Sequence, residues 1–466
     1  MTTGSAGAMN RSPFRSSVLS VLKVLALLAV LTIRAPVPAQ AQSAAQDPAV
    51  EARIEAVESK VIAWRRDIHQ HPELGNREFR TSALVADHLA ELGIEVQTDV
   101  AHTGVVGILE GGRSGPVVLL RADMDALPVA ERVDLPFSST ITAEYNGEQV
   151  GVMHACGHDA HTAILMGVAE VLAGMRDELP GTVKFVFQPA EEGAPDGEEG
   201  GAELMVREGV LSSPDVDVAF ALHLDSKLEA GDIAFRPGGM YASSDDFRIA
   251  VRGQQTHGAF PWDGVDPIVA AAHIVTSLQT IVSREINLTE TAAVVSIGKI
   301  RGGVRSNIIP EEVELLGTIR ALDPDVRAAV GERVREIAST IAAAHRATAE
   351  VQIPYTHGYP ATINDPELTA RMVPVLENAV GADHVHLRPP LMAGEDFAFI
   401  AERVPGLYIR LGGRSPDISE ADAPAHHTPD FYIDEAGFVN GVRAMTAMTV
   451  SYLRSDSTGP GNHGNE

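Results

Sequence analysis

The chain has 466 residues, 45% hydrophobic, 21% charged and 5% aromatic, enough for about two to three domains and too apolar for a disordered or low-complexity protein. Its 63 acidic and 36 basic residues leave a net charge of −27, a field that repels phosphate backbones and disfavours nucleic-acid binding. A single cysteine, Cys156, excludes an intrachain disulfide.

Residues 1–41 carry Arg11, Arg15, Lys23 and Arg34 and no acid, then an apolar run from Val24 to Ile33, then Ala39-Gln40-Ala41. This order is that of a secretory signal peptide. The alternative, a retained anchor, is disfavoured because so short a run cannot cross about 30 Å of hydrocarbon. The expectation is an exported protein, periplasmic or extracellular, with no stable membrane span after cleavage.

From Val50 to Leu92 apolar residues recur at helical spacing, interrupted by the loop His69-Gln70-His71-Pro72-Glu73-Leu74-Gly75. Apolar runs at Val117–Leu120, Val183–Phe187 and Val218–Leu222, with a helical stretch Thr162–Met175 among them, predict buried parallel strands and a three-layer α/β domain. From about Met240 the rhythm changes. Strands at Phe247–Val251, Ala292–Ile300, Val313–Leu322 and Ala349–Ile353, with helices at Pro267–Arg284 and Pro324–Ala347, follow the ferredoxin-like order βαββαβ. The α/β pattern then resumes with a helix at Pro366–Val380 and a strand at Leu407–Leu411. The expected organisation is a discontinuous catalytic domain, 50–239 and 354–452, carrying an inserted domain, 240–353, with a disordered tail at 453–466.

The chemistry-bearing residues fall at the carboxyl ends of the predicted strands, where doubly wound sheets bind ligands. Arg121-Ala122-Asp123-Met124-Asp125 follows the first strand, Gln188-Pro189-Ala190-Glu191-Glu192-Gly193 the second, and His223 the third. His154-Ala155-Cys156-Gly157-His158-Asp159-Ala160-His161 lies between the first two, and His426-His427-Thr428-Pro429 near the C-terminus. Taken singly, each is as well explained as a cap, a turn or a solvated group. Together, thiol, imidazole and carboxylate at one sheet edge suit borderline transition metals rather than calcium or magnesium. They suffice for two ions sharing a bridging ligand, leaving Glu191, beside Glu192, as a general base for a water on the metal. A competing reading makes Cys156 a nucleophile activated by His158. It leaves His223 and the Glu191-Glu192 pair unexplained, and residues two apart rarely reach nucleophile–base geometry.

These motifs resemble those of the metal-dependent amidohydrolase/peptidase family that includes hippurate hydrolase, N-acyl-amino-acid hydrolases and plant auxin-conjugate hydrolases. The resemblance runs over about residues 50–452, through Arg66–Leu74, Arg121–Pro128, His154–Asp159, Gln188–Gly193, Asn307–Pro310, Gly317–Arg320 and Gly394–Ala398. It implies that Cys156, His158, Glu192, His223 and His427 hold two divalent ions (zinc or manganese, with cobalt or nickel compatible), that Glu191 is the base and that Asp125 orients a ligand. His427 is preferred over His426 because Thr428-Pro429 follows it. The resemblance further implies a homodimer through the inserted lid domain, whose His257 would reach the partner's site and stabilise an oxyanion. Asn307 and Arg320 would face substrate, Arg320 being suited to a carboxylate, with a salt bridge on the small sheet as its alternative. The implied activity is amide hydrolysis of N-acyl amino acids or similar small conjugates. A metallo-dipeptidase or deacetylase of the same fold, and a non-catalytic binding protein, are the alternatives. Departures from the family pattern sit on the substrate side: Gln255 and Thr256 before His257, Trp262, Leu224-Asp225 after His223, and an insertion at about Ile141–Gly151.

Overall fold

The computed structural model describes residues 47–456; the segment read as a signal peptide lies outside the described residues. Asp47 caps the first helix by accepting from the Ala49 N–H, with Pro48 at its first position, where a missing N–H costs nothing. In chain order the main elements begin with α1 (Pro48–Gln70), α2 (Phe79–Glu91), β1 (Glu95–Val100), β2 (Gly104–Glu110) and β3 (Arg113–Asp123). There follow α3 (His158–Ala173), β4 (Pro180–Gln188), β5 (Val218–Glu229), β6 (Ile233–Phe235), β7 (Asp245–Arg252) and α4 (Pro267–Thr280). The chain continues through β8 (Ala293–Gly302), β9 (Glu312–Ala321), α5 (Pro324–Ala344) and β10 (Thr348–Gln352). It closes with α6 (Pro366–Val380), β11 (Val385–Leu387), β12 (Gly406–Arg414) and α7 (Phe438–Asp456).

The large sheet has the order β1-β2-β4-β3-β5-β12-β6-β11. Its central four strands, β4, β3, β5 and β12, are parallel, as their uninterrupted apolar runs predict for strands covered on both faces. Successive residues bury alternately. Leu120, Phe185, Phe187 and Ile409 join the core with α1, α3 and α7. Leu119, Val186, Ala219 and Tyr408 join a second core with Met205, Phe397 and Ile400 on the opposite face.

The sheet is mostly parallel, with β2 running antiparallel to β4 and β6 antiparallel to β12. One reading is corrected: β5 does not end at His223 but continues to Glu229, because beyond the end of β3 it still pairs with β12, Arg410 opposite His223 and Gly412 opposite Asp225. The last helix also runs on to Asp456, into the segment expected as a tail; residues 457–466 lie outside the described residues.

A second sheet, β8-β9-β7-β10, is antiparallel throughout. Its inner face and the helices α4 and α5 form a separate core around Phe247, Ile249, Leu315, Ile274 and Val334. Among the described residues no helix is long and apolar enough to cross a membrane.

Candidate active site

The cleft lies where the central strands end. The β3–β5 ladder ends at Arg121 and Ala221 while β5 continues beside β12, so His223 stands level with the end of β3, where one side of β5 loses its strand partner. Gly157 delivers the next group. Its φ of +100° turns the chain into α3, and a Cβ there would sit 3.2 Å from Leu224 Cβ, so glycine lets Cys156 and His158 approach β5 closely. The cleft has a volume of about 1180 Å³ and is lined by Cys156, Glu191, Glu192, His223, His427 and Arg320, among others. That is ample for a small conjugate.

Cys156 Sγ lies 3.4 Å from His223 Nε2 and 3.3 Å from His427 Nε2, and His427 Nε2 lies 2.9 Å from Glu192 Oε1. Donor atoms of Cys156, His158 and Glu192 all fall within 4.8 Å of one another. The hydrogen bonds fix which ring nitrogens are free. His223 Nδ1 donates to Leu224 O (2.6 Å), and His158 Nδ1 pairs with Asp125 Oδ1 (3.1 Å). His223 therefore turns a lone-pair Nε2 towards the cleft. The Nε2 of His158 is buried with no hydrogen-bond partner. Burial disfavours a charge on this ring, but Asp123 and Asp125 prevail and raise it to about 10, so a cation bound there would displace its proton. An orphaned imidazole nitrogen beside a thiol and a carboxylate is what a bound divalent cation would satisfy, and carboxylate-supported histidines are the usual metal ligands. The residues present fit the implied metals.

His161 and His426 are different. His161 Nδ1 meets Asp123 Oδ1 at 2.5 Å while its Nε2 accepts the Leu224 N–H at 2.8 Å, so both nitrogens are committed. His426 Nε2 accepts the Ser226 N–H (3.2 Å), which leaves the proton on Nδ1, 3.6 Å from Cys156 Sγ. His426 thus faces the sulfur as a donor, although a nitrogen of His426 rather than His427 falls within 4.8 Å of the ligand atoms of Cys156 and His223, while His427 Nε2 lies against both Glu192 and Cys156.

Asp125 does two things at once. Oδ1 supports His158 and Oδ2 accepts the Glu192 N–H at 2.9 Å. Glu191 is buried, its Oε1 3.4 Å from the Asp396 N–H, its Oε2 3.9 Å from His158 Nε2, and its backbone carbonyl held by Tyr359 Oη at 3.0 Å. Burial, then Glu395, Glu192 and Asp396, push the Glu191 carboxyl well above the usual range. Burial works against an ionised Glu192 too, but the His427 hydrogen bond and the charge of His158 prevail and hold its pKa low. The two adjacent carboxyls thus have opposite environments, Glu191 among other carboxylates and Glu192 against His427 and His158. Burial, and then Glu192, Glu191 and Asp123, push the Cys156 thiol up.

Beneath these groups lies a buried ion cluster that sequence reading passed over as motif. Arg121 pairs with Asp123 (2.7 Å), Glu395 (3.0 Å) and Asp396 (2.8 Å), and its Nε donates to Gln188 Oε1 (2.8 Å). Tyr408 Oη donates to Glu395 Oε2 at 2.5 Å. All of these except Tyr408 stand in the quoted motifs, so adjacency to candidate ligands was the available signal.

The remaining candidates divide. Arg320 lines the cleft, and no carboxylate pairs with it among the described residues, so its guanidinium is not in the salt bridge that was its alternative. His257 and Asn307 are brought together, through the Gly258 N–H donated to Asn307 O (2.8 Å) and the pairing of Thr256–His257 with Ile308–Ile309, but both are exposed and neither lines the cleft of their own chain. His257 Nδ1 accepts the Ala259 N–H at 3.0 Å, which leaves Nε2–H as an outward donor.

Residues 119–450 match the family model described as peptidase family M20/M25/M40. The chain is 38% identical over 400 residues to "Thermostable carboxypeptidase 1" of Saccharolobus solfataricus, covering 86% of this chain and 97% of that protein. It is 36% identical over 387 residues to "N-acetyl-L-cysteine deacetylase" of Bacillus subtilis, covering 83% of this chain and 86% of that protein. A Bacillus subtilis crystal structure described as a dinuclear metal binding peptidase from the M20 family superposes with a TM-score of 0.72, at 34% identity, over 86% of this chain and 99% of that one. The chain belongs to the peptidase family M20/M25/M40.

Proposed function

We propose that this protein is an exported, dinuclear metal-dependent amidohydrolase that releases the amine from N-acyl amino acids or similar small amide conjugates. The observation that carries the reading is the convergence of Cys156, His158, Glu192, His223 and His427 on one cleft, with imidazole nitrogens turned inward and Glu191 beside them. Those five residues would hold the ions, zinc or manganese by the donor set. When bound, the ions supply Lewis acidity that lowers the pKa of a water and polarises the scissile carbonyl.

The chain's own groups do the rest. Glu191, buried and adjacent to a ligand, takes the water's proton and returns it to the leaving amine. Arg320, unpaired in the cleft, holds the carboxylate of the amino-acid part. Residues 240–353 form an inserted domain of ferredoxin-like order through which two copies pair, and His257 of one copy donates Nε2–H to the developing oxyanion in the other. The carboxypeptidase relative supports a second reading, an exopeptidase of the same fold, separable by a panel of dipeptides against N-acyl amino acids.

The deciding experiment is hydrolysis of N-acyl amino acids by purified protein. Activity should vanish on chelation and return with Zn²⁺ or Mn²⁺. Full activity in chelator, lost instead to a thiol reagent, overturns the metal reading in favour of Cys156 as nucleophile.

A further inference from the structure

The turn that carries Glu191 is held in a conformation its sequence does not favour. Ala190 has φ +51°, in the left-handed region where a non-glycine residue is uncommon. Space around it is closed: a Cβ on Gly75 would lie 3.1 Å from both Cα and Cβ of Ala190, and one on Gly200 3.1 Å from Ala190 Cβ. Such a conformation persists only where neighbours over-determine it.

Two buried carboxyls do so. Asp125 accepts the Glu192 N–H, and Glu78 Oε1 accepts the Ala190 N–H at 2.9 Å. Glu78 stands at the start of α2 but caps nothing there; that duty falls to Glu73, which accepts the Arg80 and Thr81 N–H groups at 2.9 and 2.8 Å. Its carboxyl is fully buried, and Oε2 is fixed by Thr103 Oγ1 at 2.5 Å. A buried acid held on both oxygens, aimed at the residue before the proposed base and contributing nothing to its own helix, has a role beyond α2.

We propose that Glu78 is a positioning residue for catalysis: by clamping the Ala190 N–H it keeps the left-handed turn that aims the Glu191 carboxyl, while Asp125 fixes the Glu192 side of the same turn. The proposal rests on the reading of Glu191 as the base. The needed feature is an acceptor at the Oε1 position, not a charge. Burial, with Asp125 nearby, raises the Glu78 carboxyl to about 8, so it is largely protonated at neutral pH and an amide can replace it.

The test compares Glu78→Gln with Glu78→Met, which fills the same volume without an acceptor. Glu78→Gln should keep kcat within about threefold, whereas Glu78→Met should lose about 10²-fold in kcat, the scale of a small misplacement of a reacting group. KM and the metal content per subunit should stay those of the wild type. In crystal structures Ala190 should hold φ near +51° in wild type and Glu78→Gln and leave it in Glu78→Met. Wild-type kcat in Glu78→Met, an equal loss in Glu78→Gln, loss of metal, or an unmoved Ala190 each overturns the proposal. Should Glu78→Met not fold, Glu78→Asp, which withdraws the same buried carboxyl by one methylene, must show the kcat loss, and wild-type turnover there overturns it. If the wild type hydrolyses no N-acyl amino acid, the functional reading fails, and the Ala190 conformation in the variants still decides the role of Glu78.

Discussion

The cleft and the β8-β9-β7-β10 sheet handle charge in opposite ways. In the cleft, Arg121, Asp123, Asp125, Glu191, Glu395 and Asp396 are all buried, and each is held by named partners. On the small sheet the ion pairs are cross-strand and reached by water to differing degrees: Arg248 Nε meets Glu314 Oε2 at 2.7 Å with both side chains 19% exposed, and the half-exposed Arg252 spans Glu312 and Glu350. Buried charges that lose a partner cannot be rescued by water, whereas surface pairs exchange a partner for solvent at little cost. The same residue types therefore carry function and stability in one region and mainly solubility in the other.

The sharpest break in that contrast is Glu191→Gln. Removing the proton acceptor while keeping shape and hydrogen bonding should lower kcat by about 10²–10⁴-fold, with the metal content of the purified protein unchanged. Loss of metal instead would exchange the roles of Glu191 and Glu192. Next comes Arg121→Met. It strands Asp123, Glu395 and Asp396 without their shared cation, and breaking a buried ionic cluster from one side costs about 3–5 kcal/mol. A thermal melt should show a clear fall in Tm, and a melt within 2 °C of wild type (about the scale of a surface change) would remove the cluster from the account of the fold.

These two variants also mark what the sequence makes legible. The strand-end segments around Asp123 and Glu191 stand out because a buried parallel strand must be apolar until its end, so polar residues there are conspicuous, and His223 stands out as the polar residue after the apolar run of β5. His158 is legible for a related reason: Gly157 and the helix that follows announce a turn. What stays hidden depends on contacts between distant segments. The edge strands Glu95–Val100 and Val385–Leu387 are partly exposed, the neighbouring Ile233–Phe235 is only three residues long, and pairing rather than pattern makes them strands. Lys184 sits inside an apolar run without penalty because Nζ reaches the carbonyls of Val210, Ser212 and Pro214. Nothing local to Glu78 says that its carboxyl meets Ala190, 112 residues later. Thr428-Pro429 leads the resemblance to prefer His427, and nothing local to His426 says that one of its nitrogens accepts the Ser226 N–H.

A third variant tests whether Arg320, unpaired in the cleft, belongs with the functional charges. Arg320→Met should raise KM for substrates bearing a free carboxylate by about 10–100-fold, the worth of a charge-assisted hydrogen bond. Amidated substrates should bind the wild type and the variant alike. An equal rise for both would make Arg320 a structural residue of β9, and the comparison of regions would then hold one fewer functional charge.

The smallest effect belongs to the small sheet. Arg248 lies on β7 with Leu316 directly across on β9; it reaches diagonally to Glu314, which stands opposite Ala250, and lies within 3.9 Å of Glu312. Water reaches this face, so the Coulomb gain is screened and two long side chains must be ordered to obtain it. Arg248→Gln should lower Tm by under about 2 °C, as expected for a pair worth at most ~1 kcal/mol, and should leave kcat and KM unchanged. Repeating the melt at 1 M salt should shrink even that difference, because exposed pairs are screened while buried ones are not. A fall as large as that of Arg121→Met would mean that the two regions do not differ in how they use charge. Arg248 would then be holding the register of β7 against β9, and with it the two-stranded pairing that presents His257.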